Sequence, residues 1–343
     1  MDNTAYRPGS GAGEPWQAEF VACFFHKGRK DVTKFVSQIA DAIGLDGEGG
    51  LDPAAQSMIK ERLHPFVSDI APARKIDVEI PRSAGPAVVQ TLGPSNANGI
   101  SSQIVPMGRS DTDDGTTITT KSKQDLFPNV SCRTRFAGPE GWAILSDIDD
   151  TIKVTGSVDP IAILKTTFAE EPRITEGMPE FYKVLNEQFE KPAWFYLSAS
   201  PYNLYPFLHQ FVEDNYHPGT IILRDASWMF FGGLLQSLTQ GVQAYKTSRI
   251  EKIHSWLPRR KFICIGDSTQ SDPETYAEMY KKHPEWIKAI WIRKVLDPAP
   301  LPAKNKPERF ENAFKDVPEN VWKVFVHPDE LADHVKHLVE EPR

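Results

Sequence analysis

Asp147, Asp149 and Asp150 follow an apolar, strand-length run at residues 142–145, in WAILSDIDDTIKVTG, with Thr151 directly behind them. Carboxylates at the tip of a strand stand at the carboxyl edge of a sheet, where open α/β folds keep their ligands. In extended chain Asp147 and Asp149 point to one side and Ile148 points back into the protein. Two carboxylates so close repel unless a divalent cation or a shared proton relieves them. Aspartate, a strand tip and magnesium together suggest phosphoryl transfer, with one Asp as nucleophile and the next as acid/base.

Plainer readings compete for the same residues. An acidic turn would keep its charges in water, but this run is embedded between apolar residues. A calcium loop fails, because Ile152 stands where the tight-turn Gly belongs and Val158 where the bidentate Glu belongs. A glycosyltransferase metal pair also uses Asp-x-Asp, so the stretch alone leaves that chemistry open.

Three later places could complete a phosphate site. The run 194–197 empties into Ser198, in FYLSASP, whose hydroxyl can donate to a phosphate oxygen; a small residue before a turn looks the same. The run 262–265 empties into Gly266, Asp267 and Ser268, in FICIGDSTQSDPE, where Asp267 offers magnesium a further carboxylate and Gly266 permits close approach. Asp272 stands before Pro273 and reads first as a helix cap, with a metal role second. Lys246 is the only charge in the interval 226–248; it could neutralise the nucleophile and a phosphate oxygen, although a lysine at a helix start is usually just solvated.

The order Asp-x-Asp-x-Thr, strand–Ser, Lys, strand–Gly-Asp resembles the haloacid dehalogenase superfamily of phosphotransferases. Within it, SDIDDTIK, FYLSASPYNLYPFL, YKTSRI and KFICIGDSTQSDPETY are similar to the fungal actin-patch-associated phosphatidate phosphatases, relatives of the lipins. The likeness covers roughly residues 141–295. It implies a Rossmann-like haloacid dehalogenase fold and a Mg²⁺-dependent phosphatase turning phosphatidate into diacylglycerol and phosphate. It also implies roles: Asp147 as nucleophile, Asp149 as general acid/base, and Ser198, Lys246 and Thr151 at the phosphate. Mg²⁺ would be held by Asp147, the backbone carbonyl of Asp149, and Asp267, with Ser268 and Asp272 in supporting positions. The family's usual sheet order makes the first and fourth strands neighbours, bringing Asp147 beside Asp267. Cytoskeletal or endocytic protein partners follow from the resemblance only.

The elements that must position these residues change character along the chain. Residues 1–17 read as a flexible lead-in. A β-rich module with two helices is expected over 18–138, and a catalytic α/β domain with a parallel sheet over 139–343. In the first module, 32–43 has helical spacing with Asp31 as N-cap, and Asp52–Pro53 opens a helix expected to end before Pro65. Short β-prone runs follow at 75–80, 87–92, 100–105, 115–120 and 129–135, punctuated by Gly, Pro, Asn and Asp; the acidic link 110–115 reads as a mobile loop tip. Beyond residue 138, apolar strand-length runs alternate with helical segments, as in a parallel sheet covered by helices.

Composition narrows the classes further. The 343 residues are 40% hydrophobic and 25% charged, ordinary for a globular protein and long enough for two cores. A net charge of −7 argues against broad binding to nucleic acid or anionic membrane. Cys23, Cys132 and Cys264 have no metal-ligand spacing and form no disulfide framework, which favours a reducing compartment. With no signal core and no apolar span, a cytoplasmic protein touching membranes peripherally is expected. Trp228, Phe230 and Phe231 are the candidate membrane contact, against an even chance that they are core. Two other functions stay open: hydrolysis of small soluble phosphomonoesters, and a non-catalytic lipid-sensing module of the same fold.

Overall fold

The computed structural model describes residues 1–8, 14–26, 32–45, 52–82, 85–108, 112–123, 130–226, 241–296 and 302–340. Asp31, the expected N-cap, and the segment bearing Trp228, Phe230 and Phe231 lie outside these residues.

Two large sheets organise the chain. The first contains β1 (Asn3–Tyr6), β2 (Gln17–Cys23), β5 (Ile76–Ile80), β6 (Val88–Leu92), β7 (Ile100–Pro106), β8 (Thr117–Ser122) and β9 (Ser131–Phe136), in the order β6-β5-β8-β9-β1-β2-β7. All its pairings are antiparallel except β1 with β9. A small ribbon of β3 (Phe25–His26) and β4 (Asp69–Ile70) leaves it, together with helices α1 (Val32–Ala42) and α2 (Pro53–Val67).

The second sheet is parallel throughout, in the order β12-β11-β10-β13-β14-β15. Its strands are β10 (Trp142–Asp147), β11 (Ala193–Pro201), β12 (Thr220–Arg224), β13 (Lys261–Asp267), β14 (Ile287–Arg293) and β15 (Trp322–Phe325). Alternate strand residues feed two cores. Ile144, Trp194, Tyr196 and Ile263 pack under α4 (Met178–Gln188), α5 (Tyr205–Asn215) and α9 (Ala332–Glu340). Ala143, Leu145, Phe195 and Phe262 pack under α6 (Val242–Trp256), α7 (Asp272–Lys282) and α8 (Pro307–Ala313). With both faces covered, the strands read as continuous apolar runs, which is why they are visible in the sequence. The strand order reverses direction at β10 and β13, the switch point where such sheets open a crevice.

Within the expected lead-in, Asn3–Tyr6 forms a strand. Asn3, Thr4, Ala5 and Tyr6 are all buried in a strand between β9 and β2. Asp2 accepts hydrogen bonds from the Arg133 amide (2.8 Å) and guanidinium, while Arg133 also reaches Glu213 (2.6 Å) on α5. Tyr6 stacks on Trp256 with ring centroids 5.4 Å apart, so the strand joins the two sheets. The signal was hidden because its parallel partner, β9, lies far away in sequence.

Two further expectations need adjusting. α2 runs through Pro65 to Val67 instead of stopping before it. Proline so near the end costs one hydrogen bond, and the last turn is held by Asn203, which donates to the Pro65 carbonyl (2.9 Å), and by Phe66 packed edge-on against Phe168. Within the link 110–115, Asp114 is anchored: its carboxylate takes two bonds from the buried Arg260 (2.7 and 2.8 Å) and one from the Gly138 amide.

α3 (Pro160–Leu164) continues into a π-helical turn, Lys165–Ala169. Leu164 and Phe168 from this unit meet Val36, Ile39, Ile59 and Leu63 of α1 and α2 in a core of their own. Arg62 of α2 adds bonds to the carbonyls of Thr167 (3.1 Å) and Glu170 (2.5 Å). Among the described residues no helix is long and apolar enough to cross a membrane.

Candidate active site

The site forms where β10, β11 and β13 end side by side. β10 stops at Asp147, so strand alternation does not reach Asp149. A tight turn takes over, closed by Ile152 N–H to the Ile148 carbonyl (3.0 Å) and Asp150 N–H to the Lys153 carbonyl (2.7 Å). Asp150 adopts a left-handed φ of 61°, an uncommon backbone for aspartate. Its carboxylate accepts from the amides of Thr155 (2.8 Å), Gly156 (2.7 Å) and Ser157 (2.6 Å), which holds the turn in place. Arg293 from β14 donates to its carbonyl (2.7 Å).

Asp147 and Asp149 consequently face different partners. Asp147 Oδ1 accepts from Lys246 Nζ at 2.6 Å, and Oδ2 from Thr151 Oγ1 at 3.3 Å. Asp149 Oδ2 accepts from Ser198 Oγ at 2.6 Å, and Oδ1 from Thr155 Oγ1 at 2.9 Å. The buried Lys153 donates to Thr155 Oγ1 (2.7 Å) and lies 3.8 Å from Asp149. The Ser198 hydroxyl, expected at the phosphate, is thus engaged by Asp149 and also accepts from the Ser200 amide (3.0 Å).

Lys246 is wholly buried on α6, far from the solvated lysine of the plain reading. Its ammonium bridges Asp147 and Asp272, the latter at 2.5 Å. That contact overturns the capping reading of Asp272. The N-cap of α7 is Ser271, while Asp272 is fully buried, contacts Lys246 and accepts from the Asp267 amide at 3.2 Å. Asp147, Asp267 and Asp272 bring carboxylate oxygens within 4.8 Å of one another. Asp149's side chain is outside that trio. Ser268 turns elsewhere, its hydroxyl accepting from the Val295 amide (3.0 Å).

The electrostatics follow from three buried carboxylates sharing one ammonium. Burial pushes the Asp147 carboxyl well above its usual range; Lys246 opposes this, while Asp272, Asp267 and Asp149 add to it. Burial, helped by Asp272 and Asp150, lifts Asp267 to about 8 against the pull of Lys246 and Thr269. Burial alone would lower Lys246, but Asp147, Asp272 and Asp267 outweigh it and hold the ammonium charged. Asp267 Oδ1 is taken by the Thr269 amide (2.5 Å) and hydroxyl, whereas Oδ2 is buried without a hydrogen-bond partner. A buried, unpartnered carboxylate oxygen among other carboxylates suits a hard divalent cation. The donor set therefore fits magnesium.

Lys153, Thr155 and Ser200 carry no signal in the sequence, and Asp150 has no role of its own there. Asp150 was visible inside the acidic run. Nothing local marks Thr155 and Lys153, whose relation to Asp149 arises only when the turn closes.

Residues 142–294 match the family model described as the catalytic domain of phosphatidate phosphatase APP1. That segment is similar to the APP1 catalytic domain. Phosphatidate phosphatase APP1 of Saccharomyces cerevisiae is 30% identical over 208 residues, covering 60% of this chain and 31% of that protein. An uncharacterized protein of Schizosaccharomyces pombe is 32% identical over 161 residues, 46% of this chain and 26% of its own length. The chain spans less than a third of the length of these curated relatives. The APP1-type match begins at the first residue of β10 and takes in Asp147, Asp149, Ser198, Lys246, Asp267 and Asp272.

Proposed function

We propose that this chain is a Mg²⁺-dependent phosphatidate phosphatase of haloacid dehalogenase type, releasing phosphate from phosphatidate and leaving diacylglycerol. The observation that carries the reading is the joint burial of Asp147, Asp267 and Asp272 around Lys246, within a segment similar to the APP1 catalytic domain.

In this mechanism Asp147 attacks phosphorus, forming an aspartyl-phosphate as the bond to the diacylglycerol oxygen breaks. Lys246 and Thr151 hold its two carboxylate oxygens, which fixes the attacking atom. Asp149 gives a proton to the departing alkoxide, then takes one from the water that cleaves the aspartyl-phosphate. Ser198 and Thr155 orient that carboxylate from both sides. Asp147, Asp267 and the Asp149 carbonyl, with Asp272 in support, would hold magnesium, which would supply positive charge for the transferring phosphoryl group. Lys246 spends two of its three N–H bonds on Asp147 and Asp272, leaving one for a phosphate oxygen.

The deciding experiment measures phosphate release from phosphatidate in mixed micelles and from a panel of soluble phosphomonoesters, each with Mg²⁺ and with EDTA. Phosphatidate turnover that appears with Mg²⁺ and disappears in EDTA is expected. Turnover of the soluble esters alone would move the substrate away from lipid, and undiminished activity in EDTA would overturn the mechanism.

A further inference from the structure

The first sheet nearly closes on itself. Its edge strands β6 and β7 are tied by Gln103, which accepts from the Gly93 amide (2.9 Å) and donates to the Thr91 carbonyl (3.1 Å). Inside, Trp16, Ile80, Met107 and Phe136 fill one end, with Trp16 and Phe136 packed edge to face at 5.0 Å. The opposite end is not filled. There a cavity of about 800 Å³ is lined by inward residues of successive strands, among them Phe20, Ala22, Ile76, Val78, Leu92 and Cys132. That size falls within the range of about 300–1,000 Å³ usual for small-molecule sites, and barrel mouths are a favoured place for them.

The charged side chains that line this end are all basic. Arg74 and Lys75, immediately before β5, line the cavity, are exposed and form no ion pair with a described residue. Arg74 approaches His26 of β3, also exposed, with Nη2 3.2 Å from Nε2. No Asp or Glu is among the described residues that line the cavity. In a chain of net charge −7, an apolar hole edged by uncompensated cations is selective for a ligand that is both oily and acidic.

We propose that this end of the barrel is a binding site for a single-chain anionic amphiphile, its alkyl chain in the cavity and its acidic head at Arg74, Lys75 and His26. The site is separate from the carboxylate cluster at β10 and β13 and does not rest on the phosphatase reading. A carboxylate head, as in a fatty acid, and a phosphate head, as in a lysophosphatidate, share the required chemistry.

The test titrates the full chain with 11-(dansylamino)undecanoic acid and follows dansyl fluorescence, then displaces it with a fatty acid, a lysophosphatidate or dodecyltrimethylammonium. Saturable binding is expected, displaced by the anions and at least tenfold less readily by the cation; the better anionic competitor identifies the head group. Arg74→Glu with Lys75→Glu should raise the dissociation constant at least tenfold while the melting temperature holds. Ala22→Trp should block binding by filling the cavity, with the melting temperature unchanged. If that variant does not fold, the charge-reversed pair decides. Absence of saturable binding, equal displacement by the cation, or full affinity in the folded charge-reversed pair would each overturn the proposal.

Discussion

Gly266 approaches Asp272 so closely that a Cβ built on it would lie 2.4 Å from Asp272 Oδ2 and 2.8 Å from the Tyr276 ring. The missing side chain is what lets α7 pack down on the end of β13 and deliver Asp272 to Lys246. Gly266→Ala should therefore push α7 away, because neither the buried Asp272 nor the buried Tyr276 has room to shift. Overpacking of this kind costs about 1–3 kcal/mol. Turnover should drop at least tenfold and the melting temperature should fall. Wild-type activity in Gly266→Ala would mean the Asp272–Lys246 contact is dispensable.

Asp147→Asn should remove turnover, because an amide cannot form the acyl-phosphate. Asp149→Asn should lower kcat by about 10²–10⁴-fold, the usual worth of a positioned proton donor. Since the Asp149 side chain lies outside the trio of Asp147, Asp267 and Asp272, the Mg²⁺ concentration for half-activation should change little in Asp149→Asn. A large shift in that concentration would place the Asp149 carboxylate at the metal and separate these roles differently.

The parallel sheet is legible because its strands are buried on both faces and appear as unbroken apolar runs ending in polar residues. What escaped depends on closure in three dimensions. Asp272 looks like a cap because Pro273 follows it; only the packing of α7 against β13 and α6 puts a lysine beside it. Asn3–Tyr6 is too short to show a period, and its partner residues Thr134, Arg135 and Phe136 lie far along the chain, on the neighbouring strand. Thr155 and Lys153 reach Asp149 through a turn shaped by Asp150's left-handed backbone, which no spacing rule reveals.

Asp2 gives a pH test of the amino-terminal strand. Burial by itself would raise its carboxyl, but hydrogen bonds from His209 and Arg133 reverse this and bring it down to about 2. A carboxyl lowered on folding contributes stability that is complete above its unfolded value of 3.8 and fades as pH falls through about 2. With the partly exposed Arg133 allowing for screening, the contribution is about 1–2 kcal/mol at neutral pH. Asp2→Asn should therefore melt below wild type at pH 7, and the gap should narrow as pH drops from 4 toward 2. A gap that stays constant across that window would mean that packing, not ionisation, ties this strand down.

Lys246 is the position where stability and chemistry are hardest to separate, and magnesium separates them. Its ammonium is the counter-charge to Asp147 and Asp272, at 2.6 and 2.5 Å, with Asp267 close behind. Lys246→Met keeps much of the side chain's bulk but leaves the carboxylates buried without a cation. Removing one partner of a buried ion pair typically costs about 3–5 kcal/mol. In EDTA the variant should unfold at markedly lower denaturant than wild type. Added Mg²⁺ should restore part of that stability by supplying positive charge to the same carboxylates. It should not restore turnover, because Asp147 Oδ1 loses the donor that orients it and the phosphate loses a cation. Equal stability of Lys246→Met and wild type in EDTA would show that the carboxylates are protonated in the metal-free protein and that Lys246 is no counter-ion to them.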